Sequence, residues 1–104
     1  MHLSRRTLLR WSQRAGLPPP RRLLAWMRVL LACELLDDPG RSVLSVARTA
    51  GYASDSGLRR ITQKFLRASP TDLREQGAVP QAAAAFVAEL TEHRLKVRVT
   101  TREG

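Results

Sequence analysis

Between Arg21 and Leu36 the chain is apolar at most helical positions, and this segment constrains the fold more than any other. Leu24, Met27, Leu31 and Leu35 form one stripe at helical spacing, and Leu23, Trp26, Leu30 and Cys33 widen it. A helix apolar around most of its circumference is a central element, packed by neighbours on two sides. Leu17-Pro18-Pro19-Pro20 leads into it as a rigid connector that can serve as a first helical turn, and Asp37-Asp38-Pro39-Gly40 stops it. The segment does not read as a membrane span, because Arg21, Arg22 and Arg28 interrupt it. No charged stretch with an apolar signal core follows Met1. These features predict a soluble, cytoplasmic chain with no membrane partner.

Composition sets the fold class. The 104 residues are 43% apolar but only 5% aromatic, so the core must be made mainly of Leu, Val and Ala. Such a core suits helices better than a β-sandwich, and the expected class is all-α. The one cysteine, Cys33, excludes an internal disulfide framework and a Cys-rich zinc site, and reads as a small core hydrophobe. Trp11 and Trp26, at helical spacing with leucines, read as core too. His2 and His93 stand far apart, and Glu89, Glu92 and His93 on one turn read as solvated charges. There is no glycine-rich phosphate loop and no Ser/His/Asp set. The expectation is a protein that is not an enzyme and needs no metal or cofactor.

The flanking segments are short and punctuated. Ser4 to Ala15 carries Leu8, Trp11 and Ala15 on one stripe and Arg5, Arg6, Arg10 and Arg14 elsewhere, closed by Gly16. Ser42 caps a helix bearing Val43, Val46, Ala47 and Ala50, which ends at Gly51. Ser54 or Asp55 caps the next, roughly Ser56 to Leu66, with Leu58, Ile61, Phe65 and Leu66 inward. Ser69-Pro70-Thr71-Asp72 starts a short helix through Arg74 to about Gln76. Gly77 to Pro80 reads as a hinge and Gln81 to Glu92 as a helix with Phe86, Val87 and Leu90 on its apolar face. In His93–Thr100, Leu95, Val97 and Val99 alternate with Lys96 and Arg98, a strand-like pattern with no partner strand, which reads as a frayed or partner-dependent tail.

Charge points to a partner class. Residues 1–74 hold 14 Lys+Arg against 5 Asp+Glu, while residues 75–104 hold four of each, so the whole +9 belongs to the first three quarters. All but Lys64 and Lys96 are arginines, whose planar donors suit phosphates and guanine edges. The informative unit is Ser42 to Leu66. Ala47 lets the following helix cross closely, and Gly51 permits the positive φ of a tight turn. The second helix then projects Ser56, Arg59, Arg60, Gln63 and Lys64 outward, as a reading helix does in the DNA major groove. A helix of about 16 residues spans roughly 24 Å. With its turns it can set the two basic helices one duplex turn apart.

Residues 4–76 resemble the DNA-binding region of the AraC/XylS family of bacterial transcriptional regulators. The likeness rests on Ser4-Arg5-Arg6-Thr7-Leu8, Gly16-Leu17-Pro18-Pro19, Leu35-Leu36, Arg41-Ser42-Val43, Val46-Ala47, Gly51-Tyr52-Ala53-Ser54, Ser56, Leu58-Arg59-Arg60, Ser69-Pro70 and Leu73-Arg74. It implies a homeodomain-like bundle: two helix-turn-helix units joined by one long helix, binding double-stranded DNA as a monomeric module. The corresponding division is 1–17 as a remnant of the first unit, 18–38 as the linker helix and 41–76 as the second unit. Residues 77–104 then form a C-terminal helix and tail. By the same resemblance base reading falls to Arg6, Leu9 and Arg10 in the first unit and to Asp55, Ser56 and Arg60 in the second. Arg59 lies nearer the phosphates. Arg5 and Lys64 are expected to hold phosphates as well, and RNA polymerase is an expected partner.

The departures are specific. The family domain has two further helices before Ser4, so the first unit is expected to be incomplete, with Leu8 and Trp11 exposed. Leu9 can touch only a thymine methyl. Ser12 and Thr62 stand where the family has a large apolar residue. Arg67 stands where it has glycine, which carries a left-handed-backbone cost or shifts the turn. The effector-sensing domain is missing, so the chain reads as the C-terminal piece of a larger regulator. The alternative is a truncated remnant that acts as a protein-interaction or dimerising module through its apolar helix and exposed Leu8, Trp11, Phe86 and Leu90, binding DNA only nonspecifically.

Overall fold

The computed structural model describes Arg10 and residues 16–103, with side chains through Leu95. Arg5, Arg6, Leu9 and Trp11 lie outside the described residues. From Pro20 onward the chain is all-α, with helices α1 (Pro20–Leu36), α2 (Val43–Thr49), α3 (Asp55–Leu66), α4 (Pro70–Gln76) and α5 (Ala78–Glu103).

α1 is the central element, and all four later helices pack on it. It begins without a side-chain cap, with Pro20 in its first turn. Its buried face is Trp26, Val29, Ala32, Cys33 and Leu36, which corrects the expected stripe. Leu24, Met27 and Leu31 are instead 68%, 49% and 42% exposed, and Leu35 is only half-buried. Both stripes are apolar enough to serve. The later helices meet the one where Trp26 offers a large ring and where Ala32 and Cys33 are small enough for helices to approach closely.

Local signals act as expected over most of the chain. Ser42, Ser54 and Ser69 cap α2, α3 and α4, their hydroxyl oxygens accepting from the N–H groups of Ser45, Gly57 and Asp72 at 3.0, 3.2 and 3.1 Å. Pro70 takes the first helical position of α4. Arg74 donates to the carbonyls of Leu36 and Arg41 at 2.8 and 2.6 Å, closing the loop between α1 and α2.

The C-terminal segment departs from expectation. The residues read as a hinge start α5 outright at Ala78, just after Gly77 at φ +90°. Asp37, which as a sequence feature only ends α1, reaches across to cap α5, accepting from the N–H groups of Ala78 and Val79 at 2.7 and 3.0 Å. The strand-like stretch His93–Thr100 is helical and continues α5 to Glu103. Four consecutive alanines, Ala82 to Ala85, favour the helix. No glycine or proline interrupts the run from Gln81 to Glu103. An isolated strand would leave its backbone groups without partners, whereas helix continuation pairs them. Phe86, expected to be exposed, packs against the core, and Leu90 is half-buried.

One cluster ties α1, α3 and α5 together. Trp26 meets Phe65 edge-on at 5.0 Å between ring centroids and Phe86 at 5.2 Å. The Glu89 carboxylate accepts from the Trp26 indole N–H at 2.6 Å and from Arg22 at 2.6 to 3.2 Å. The Arg22 guanidinium lies over the Phe65 ring at 4.1 Å. Glu89 is therefore not a solvated charge, which corrects that expectation. Among the described residues no helix is long and apolar enough to cross a membrane.

Candidate nucleic-acid interface

The site is built on α2, the turn after it, and α3. Val46 and Ala47 are fully buried, so the second helix can cross close to the first. The Tyr52 N–H donates to the Ala47 carbonyl at 2.8 Å and closes the turn. Gly51 takes φ +90°, as the sequence required, and a Cβ there would meet the Arg28 guanidinium at 3.2 Å. Arg28 lies over the Tyr52 ring at 5.7 Å. Burial pushes the Tyr52 hydroxyl above its ordinary pKa, against the opposing field of Arg28.

α3 is divided lengthwise. Leu58 and Thr62 are buried, and Ile61, Phe65 and Leu66 pack beside them. Thr62 satisfies its hydroxyl by donating to the Arg59 carbonyl at 3.1 Å. A small β-branched residue therefore fits where the resemblance led to a large apolar one. The opposite face exposes Ser56, Arg59, Arg60, Gln63 and Lys64. Arg60, Gln63 and Lys64 make no side-chain hydrogen bond or ion pair among the described residues. Asp55, half-buried in the first turn, sits 3.8 Å from the Arg59 guanidinium. That exposed pair is worth little to stability.

Six of the ten residues expected at the interface thus share this one helix: Asp55, Ser56, Arg59, Arg60, Gln63 and Lys64. Of the remaining four, Arg10 is helical and exposed, and Arg5, Arg6 and Leu9 lie outside the described residues. Arg22, Trp26, Phe65 and Glu89, which hold α3 against α1 and α5, escaped the sequence reading in this role. Their only signal was an Arg, an aromatic and an acid on separate apolar faces. Among the described residues no group of three or more His, Cys, Asp or Glu side chains could hold a metal. The Cys33 thiol is buried, and burial, reinforced by Asp37, pushes its pKa up to about 12.

Two short helices joined by a glycine turn, the second presenting a basic outer face, define a helix-turn-helix unit. The sequence model of the helix-turn-helix domain family matches residues 1–76. The chain belongs to that family, and residues 1–76 are its DNA-binding domain. Neither a curated protein nor a solved structure matches the chain.

Proposed function

We propose that the chain is the sequence-specific, double-stranded-DNA-binding module of a bacterial transcriptional regulator of the AraC/XylS type, with α3 as a reading helix in the major groove. The observation that carries this reading is the outer face of α3, where Arg60, Gln63 and Lys64 are exposed and have no partner among the described residues, opposite a buried Leu58–Thr62 face. Arg60 reads guanine through its forked donors, and Gln63 suits adenine. Ser56 and Asp55 stand at the end of the helix that enters the groove first, while Arg59 and Lys64 hold phosphates. In the first unit Arg6, Leu9 and Arg10 read and Arg5 holds phosphate, with residues 18–38 as the spacer. RNA polymerase is the proposed protein partner of the regulator.

The test is Arg60→Ala, assayed for affinity on a selected duplex and on random duplex. Loss of about 1–3 kcal/mol on the selected duplex, with relaxed preference at one base pair, is expected. Unchanged discrimination would remove Arg60 from base reading.

A second reading, association of two copies through α1, is favoured by one observation, the exposed stripe of Leu24, Met27 and Leu31. It predicts a mass that rises with concentration and DNA binding blind to sequence.

A further inference from the structure

Arg67 is the only residue other than glycine with a positive φ among the described residues, at φ 54° and ψ 38°. The position demands that conformation. α3 ends at Leu66, and Ser69 must be extended to cap α4, all the more because Pro70 follows it. The chain therefore reverses within Arg67 and Ala68. The Arg67 N–H donates to the Gln63 carbonyl at 3.0 Å to close the end of α3. Glycine takes a left-handed backbone without penalty, and a long side chain does not. What arginine adds here is not packing, because Arg67 is exposed and its guanidinium makes no hydrogen bond or ion pair among the described residues. It stands one turn beyond Lys64 and two beyond Arg60, extending the exposed basic edge of α3 past the helix end. A cation at a helix C-terminus gains from the dipole, but Lys64 already occupies the last turn of α3.

We infer that Arg67 is a phosphate-contacting residue that anchors the C-terminal end of α3 on the duplex backbone, retained at a strained position for its charge. This rests on the proposed reading of DNA by α3. The strain and the function separate experimentally, because glycine removes both strain and charge while glutamine removes charge alone.

The test compares wild type, Arg67→Gly, Arg67→Gln and Arg67→Lys for melting temperature and for affinity across a salt series. One phosphate contact corresponds to a salt slope smaller by about 1, or roughly five- to tenfold in affinity near 0.1 M salt. Arg67→Gly is expected to melt a few degrees higher yet bind more weakly, by the same factor on selected and random duplex. Arg67→Gln is expected to lose the same slope without the gain in melting temperature, and Arg67→Lys to keep it. An unchanged slope in Arg67→Gly and Arg67→Gln would overturn the inference while leaving reading by α3 intact. A loss confined to Arg67→Gly would also overturn it, by assigning the effect to the helix end. A wild-type chain that binds no duplex would instead overturn the DNA reading, and the anchor with it.

Discussion

Replacing Glu89 with alanine tests how α3 is held. The Glu89 carboxylate is the acceptor for the Trp26 indole N–H at 2.6 Å and for three contacts from Arg22. Trp26 is only 2% exposed, so its N–H would be left buried without an acceptor, which costs about 1–3 kcal/mol. The Arg22 side chain is 36% exposed and recovers water, so the ion-pair contribution belongs at the surface scale of about 0.5 kcal/mol. Together these give a loss of about 2 kcal/mol, a fall in melting temperature on the order of 10 °C for a domain of this size. Glu89→Gln keeps an acceptor for Trp26 and should lose only the ion-pair share, about 0.5 kcal/mol. The pH dependence follows the same contacts. Hydrogen bonding from Arg22 holds Glu89 below its ordinary pKa against the opposing effect of burial, with Trp26 assisting. Its stabilising contribution is therefore present above the ordinary carboxylate value and lost as pH falls through the lower folded value. Arg22 is pushed upward by the hydrogen bond from the same pair and stays charged throughout. Thermal unfolding followed by circular dichroism at pH 7 and at successive steps below pH 4.5 reads both effects. A Glu89→Ala protein within about 0.5 kcal/mol of wild type, with the same acid profile, would refute the clamp.

Three other outcomes follow from the geometry. Gly51→Ala should destabilise by about 1–2 kcal/mol, because it sets a Cβ at φ +90° against Arg28, and chemical denaturation measures it. Asp37→Ala removes the acceptor of two α5 N–H groups and should cost about 1 kcal/mol, with hydrogen exchange rising first at Ala78 and Val79. Cys33, buried with its pKa pushed up to about 12, should react with a thiol reagent at pH 8 only as fast as the chain unfolds, which a denaturant series checks.

The parts of this fold that local chemistry specifies were legible in the sequence. Serine caps, the glycine at Gly51, the stop after Leu36 and the inward face of α3 depend on a few adjacent residues, and each appears where the sequence placed it. What depended on distant neighbours was not legible. Periodicity marked Leu24, Met27, Leu31 and Leu35 as the stripe of α1, widened by Trp26 and Cys33, but the later helices cover the face of Trp26, Val29, Ala32, Cys33 and Leu36 instead. Asp37 reads as a helix terminator until α5 is seen beside it, and Glu89 reads as solvated until Trp26 and Arg22 arrive from the other end of the chain. The period-two pattern from His93 to Thr100 was real, but a strand needs a partner and a helix does not. The outer face of α3 was the most legible part of the candidate site, because both faces of one helix are fixed by its own spacing.

The central claim is that α3 reads DNA by sequence, as one of two reading elements set by α1. Selecting bound duplexes from a random pool with the intact chain, at low and near-physiological salt, tests it most directly. Enrichment of two short elements about one helical turn apart is the predicted result. Binding without enrichment, lost as salt rises, would contradict it and reduce the +9 charge to nonspecific attraction.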